Sequence, residues 1–162
     1  MAEATAIIGI ASAVLQIAGS AVETLNQLYD IITTIKNAPK EIVRLNSDIQ
    51  ALNRLMKNLE LSLESSDTCR IVDQDEEVRR SMHDLKDLIQ SCNRTCVEIT
   101  ERLRPYAQNG DFEDGSAGES NDRLASIRWF FRRRSILALV SDLQRTKFLF
   151  SDYMGSITLY VL

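Results

Sequence analysis

Apolar residues recur every three or four positions in four stretches of the chain, the spacing that lines side chains along one face of an α-helix. In the first stretch, Ile7, Ile10, Val14, Ile17, Ala21, Leu25, Leu28, Ile32 and Ile35 predict a helix over residues 5–36. Gly19 followed by Ser20 is its weak point, because glycine inside a helix costs about 1 kcal/mol relative to alanine, so a bend or a separable first half is expected there. Pro39 opens a second helix over 39–65, since the N–H that proline lacks would have no intrahelical partner in the first turn. Its stripe is Ile42, Leu45, Ile49, Leu52, Met56, Leu59 and Leu63, with Arg44, Asp48, Lys57 and Glu60 on the other faces.

The polar run Ser65, Ser66, Asp67 and Thr68 breaks the pattern. Asp73 or Asp75 then caps a third helix over 75–104, and Glu76 and Glu77 complement its N-terminal dipole. The stripe here is Val78, Met82, Leu85, Ile89, Cys92, Cys96, Ile99 and Leu103, and Pro105 is expected to stop the helix. Residues 105–121, with Asn109-Gly110, Asp114-Gly115 and several acids, predict a flexible acidic loop. The last helix covers 122–161, and a break near residues 132–135 would divide it in two.

Four long amphipathic segments pack most simply as an all-α antiparallel bundle, one domain over residues 1–162. Val161 and Leu162 close the sequence without a polar tail, which leads to the expectation that the bundle is the N-terminal module of a longer protein. Composition agrees with long uninterrupted elements: among 162 residues, 44% are hydrophobic and only two are proline and six glycine.

The chemistry on offer is limited. A single His83 and three cysteines, with no Gly-rich phosphate loop or nucleophile motif, give no catalytic constellation, so neither an enzyme nor a cofactor is expected. Cys92 and Cys96 lie on the apolar stripe, and the other ligands at hand, Cys69 and His83, lack workable spacing, so buried thiols are expected rather than a metal site. Asn93-Arg94-Thr95 matches a glycosylation sequon but falls within a helix of a chain read as cytoplasmic, and is discounted.

Two features stand out. From Ala4 to Val22 no residue is charged, a length close to the ~20 residues that span a hydrocarbon core. Alanine, glycine and polar residues dilute the segment, so burial in the bundle competes with membrane insertion, for which Ile7, Ile8, Ile10, Val14, Leu15 and Ile17 are the candidates. Glu3 occupies the zone where a secretory leader would be basic, which argues against secretion. The second feature is segregated charge hidden inside a net charge of -4. Residues 105–122 carry five acids and no base, while residues 123–134 carry five arginines and no acid. Arg128, Trp129, Phe130, Phe131, Arg132, Arg133 and Arg134 form a basic-aromatic cluster suited to anionic lipid headgroups, with the competing reading that the aromatics plug the bundle end and the arginines pair with the acidic loop. One short cluster on an acidic chain offers few phosphate contacts, so nucleic acid is not expected as a partner.

Several short blocks carry a resemblance: Ala6-Ile7-Ile8-Gly9-Ile10-Ala11-Ser12, Lys36-Asn37-Ala38-Pro39-Lys40-Glu41-Ile42, Ile49-Gln50-Ala51-Leu52, Ile127-Arg128-Trp129 and Leu143-Gln144-Arg145-Thr146-Lys147. Together they resemble the HeLo-like, or related SesA-type, N-terminal domains of fungal STAND (NLR-like) proteins. The resemblance implies a helical bundle ahead of a nucleotide-binding domain or repeats, acting in heterokaryon incompatibility, innate immunity or programmed cell death. It further implies homo-oligomerisation on activation and relocation from the cytoplasm to the plasma membrane, where an N-terminal segment, here Ala4 to Val22, permeabilises the bilayer. A non-lytic adaptor is the alternative role.

Overall fold

A computed structural model of the chain describes residues 2–35, 38–108 and 119–161. Every element among them is helical: α1 (Ala2–Thr34), α2 (Lys40–Glu64), α3 (Ser66–Gln74), α4 (Glu76–Gln108) and α5 (Glu119–Val161). The four long helices are those the apolar spacing predicts. The α2 and α4 stripes are buried at every one of their positions, from Ile42 to Leu63 and from Val78 to Leu103.

Short connections reverse the chain between α1 and α2. The Ile35 N–H donates to the carbonyl of Ile32, and the Pro39 carbonyl accepts from the N–H groups of Ile42 and Val43, so α2 starts immediately after the proline. At the far end Asp75 separates α3 from α4. Its Oδ1 accepts from the backbone N–H groups of Glu77 (2.9 Å) and Val78 (3.3 Å), the cap expected at one of two aspartates.

Around the bundle, α1 packs on α2 and α4, and α5 packs on α4 and α2, so α1 lies diagonal to α5. The cross-links between helices give their directions. Arg133 meets Glu41 while Gln144 and Lys147 meet Asp48, so numbers rise together and α2 and α5 run parallel. Successive long helices still reverse direction along the chain, as an antiparallel bundle requires.

Three expectations need correction. α3 was not anticipated: only Thr68, Ile71 and Val72 share a helical face, too few for a periodic pattern. Thr68 and Val72 are nevertheless buried, and α3 braces α1, α2 and α4 at one end. Second, α4 continues through Pro105 to Gln108. Proline removes one N–H, the partner of the Glu101 carbonyl, and both residues are exposed, so water replaces that bond while Tyr106 and Ala107 gain contact with the core. Residues 105–108 and 119–121 are therefore helical, and the middle of the expected acidic loop, 109–118, lies outside the described residues. Third, α5 is one helix across residues 132–135, so the fifth element is α3 instead. α1 is a single helical element through Gly19 and Ser20.

Within α1 the core slot near the middle belongs to Ala18, fully buried, while Ile17 packs on the flank. α1 thus seals the core with Ile10, Ala11, Val14, Ala18 and Ala21 in its first half and with Leu25, Leu28, Ile32 and Ile35 in its second.

Candidate functional site

Two regions carry the candidate residues, and the structure treats them differently. In α1, Ile10 and Val14 are core residues, and Leu15 and Ile17 are half-buried against that core. The side chains of Ile7 and Ile8 lie outside the described residues. The face proposed to enter lipid is thus the face that closes the bundle. Among the described residues no helix is long and apolar enough to cross a membrane. Its alanines and polar positions keep it below the hydrophobicity a lone transmembrane helix needs.

The second region is the end of the bundle where α1 turns into α2. Here α5 is fixed on two sides. Arg133 Nη2 lies 2.5 Å from Glu41 Oε1 at the start of α2, and Arg102 near the end of α4 bonds the hydroxyl of Ser135. With Ser135 level with Arg102, sixteen residues of α5 precede that level and only six of α4 follow it. α5 therefore has more helix before this contact than α4 has after it.

By their positions along the helices, cations of three elements belong to this end: Lys40 and Arg44 from α2, Arg102 and Arg104 from α4, and Arg132, Arg133 and Arg134 from α5, with Glu98, 4.0 Å from Arg102, and Glu101 among them. Arg132 and Arg134 are exposed. The side chains of Arg128, Trp129, Phe130 and Phe131 lie outside the described residues, as do the acids of 111–119. The charge cluster read from the sequence is thus one side of a larger basic end. Lys40, Arg44, Arg102 and Arg104 were missed because nothing in the linear order puts them beside residue 132.

Glu41 is the acid that ties this end together. A hydrogen bond from its own backbone N–H holds its carboxyl below the ordinary value of 4.5, desolvation opposes this, and Arg133 and then Arg44 lower it by smaller amounts. One arginine is therefore used to position α5, while its two neighbours point to solvent.

The thiols are inert by placement. Cys92 and Cys96 are both fully buried in α4, and a hydrogen bond from Cys92 together with burial pushes the Cys96 thiol far above its ordinary pKa. Among the described residues no group of three or more His, Cys, Asp or Glu is placed to hold a metal ion. His83 is exposed on α4.

A family model described as the N-terminal region of the pigment biosynthesis cluster protein PigL matches residues 5–129, from α1 into the start of α5. That is most of the chain, and the chain belongs to this family. No curated protein and no solved structure matches it.

Proposed function

We propose that this member of the PigL N-terminal family is a non-enzymatic signalling module that docks on anionic membrane surfaces through the basic end of its bundle. The observation that carries the reading is the exposed Arg132 and Arg134 flanking the Glu41–Arg133 pair, at the end of the bundle that also holds Lys40, Arg44, Arg102 and Arg104. Each Lys or Arg near an anionic bilayer contributes about 1 kcal/mol, so the exposed arginines of this end that no acid holds are the ones expected to carry the attraction.

The resemblance to HeLo-like or SesA-type domains belongs to the same proposal. On this reading the bundle is the N-terminal part of a longer STAND-type protein in the cytoplasm, several copies associate on activation, and the first half of α1 is delivered to the plasma membrane in a cell-death or incompatibility response. The composition of the core supports the last step. Ala11, Ala18 and Ala21 bury little area beside Ile10 and Val14, so undocking this half costs far less than undocking Leu25, Leu28 and Ile32. A released helix of this hydrophobicity lies in the interface rather than spanning it, and damage to the bilayer then needs an assembly.

Dye release from anionic liposomes tests the proposal. An oligomerised sample is expected to leak dye, and the double variant Ile10→Asp, Val14→Asp to bind vesicles without leakage. Equal leakage from that variant removes α1 as the agent; binding without leakage by the unaltered protein removes the lytic role. A non-lytic adaptor is the second reading, favoured by Leu61 and Phe148, both 68% exposed on the outer faces of α2 and α5.

A further inference from the structure

The seam between α2 and α5 is built unlike the rest of the core. Asp48 is the one charged side chain buried among the described residues, only 7% exposed. Both of its carboxylate oxygens are satisfied by α5: Oδ1 accepts from Lys147 Nζ at 2.5 Å and Oδ2 from Gln144 Nε2 at 3.1 Å. On α5 the same level interrupts the apolar run, with Thr146 and Lys147 standing between Leu143 and Phe150. Thr146 is buried but donates within its own helix, to the carbonyl of Asp142 at 2.9 Å. The α1 contribution to the core, in contrast, is apolar from Ile10 to Ile35.

α5 buries Ile136, Val140, Leu143, Phe150 and Ile157 as well, so the polar layer bears on the cost of opening α5 along its seam with α2. Separating an apolar seam loses stabilisation in proportion to the area exposed. Separating a polar layer loses hydrogen bonds that water replaces, and a buried ion pair contributes little beyond what hydration would give each ion. Removing one partner alone is different, because the charge left behind is neither paired nor hydrated while the seam stays closed. The geometry points to a latch: Asp48, held between Lys147 and Gln144, keeps α5 closed on the bundle, and α5 opens along this seam while α1, α2 and α4 stay together. The latch does not depend on membrane docking, and it concerns the helix diagonal to α1.

Amide hydrogen exchange of the full chain, without vesicles, reads the latch directly. In the unaltered protein, amides of residues 136–157 are expected to exchange through a local opening about tenfold faster than those of residues 25–32 and 85–103. Lys147→Met leaves Asp48 with Gln144 alone and widens that gap. The apolar pair Asp48→Leu, Lys147→Leu is expected to close the gap, because packing replaces the polar layer and the fold is retained. Uniform protection of all four long helices in the unaltered protein overturns the proposal. So does an apolar pair whose α5 exchanges as fast as before, a result that stays readable should Lys147→Met fail to fold.

Discussion

Gly19→Ala and Ala18→Leu are neighbouring changes in α1 with opposite expected signs. Apart from the helix's own backbone, nothing lies within 4 Å of where a β-carbon would sit on Gly19, so the added methyl meets no obstacle. The helix is continuous there, and alanine restricts the unfolded chain relative to glycine, so the change stabilises by about 0.5–1 kcal/mol. For a domain of this size that raises the melting temperature by about 1–4 °C. Ala18 is fully buried one residue earlier, where three further carbons must displace the core. Overpacking of this kind costs about 1–3 kcal/mol and lowers the melting temperature correspondingly. Thermal unfolding followed by far-UV circular dichroism measures both. A Gly19→Ala protein that melts lower refutes the reasoning, since it would mean that the outer face of α1 is covered or that the helix bends at the glycine. An Ala18→Leu protein that melts higher would place residue 18 outside the core.

Three other outcomes follow from the geometry. Asp75→Ala removes the acceptor for the first amides of α4 and is expected to destabilise by about 1 kcal/mol in chemical denaturation, with Asp75→Asn close to the original. Glu41, by carboxyl NMR titration, is expected to titrate below its ordinary 4.5, and Arg133→Gln to raise its midpoint only part of the way, because the principal cause is its own backbone N–H. With the folded pKa depressed, its contribution to stability is present above 4.5 and is lost as pH falls. Cys92 and Cys96 are expected to resist thiol reagents until the protein unfolds. With the Cys96 pKa raised in the folded state, its contribution is complete below the ordinary value of 9.0 and declines as pH rises past it, which unfolding curves at rising pH will show.

How much of this was legible in the sequence depends on the distance between interacting residues. The α2 and α4 stripes were readable to the residue, because the helical repeat is local. α3 was not, since two apolar residues and a threonine carry no period and its stability comes from packing on α1, α2 and α4. Asp48 was read as an outer-face charge. It sits beside the stripe residues Leu45 and Ile49, and only the parallel placement of α5 turns that flank inward and supplies Lys147. The basic end shows the same limit. Arg132, Arg133 and Arg134 were visible as a run, but Lys40, Arg44, Arg102 and Arg104 join them through the diagonal arrangement of α1 and α5, which spacing along the chain does not encode.

Co-sedimentation with vesicles tests the central claim most directly. The unaltered protein is expected to pellet with phosphatidylserine-containing vesicles, to remain in solution with neutral phosphatidylcholine vesicles, and to lose binding as salt is raised. Arg132→Glu with Arg134→Glu, two exposed positions that leave the Glu41–Arg133 pair in place, is expected to abolish binding at unchanged melting temperature. Equal binding of that variant, or equal binding to neutral vesicles, would contradict docking through the basic end.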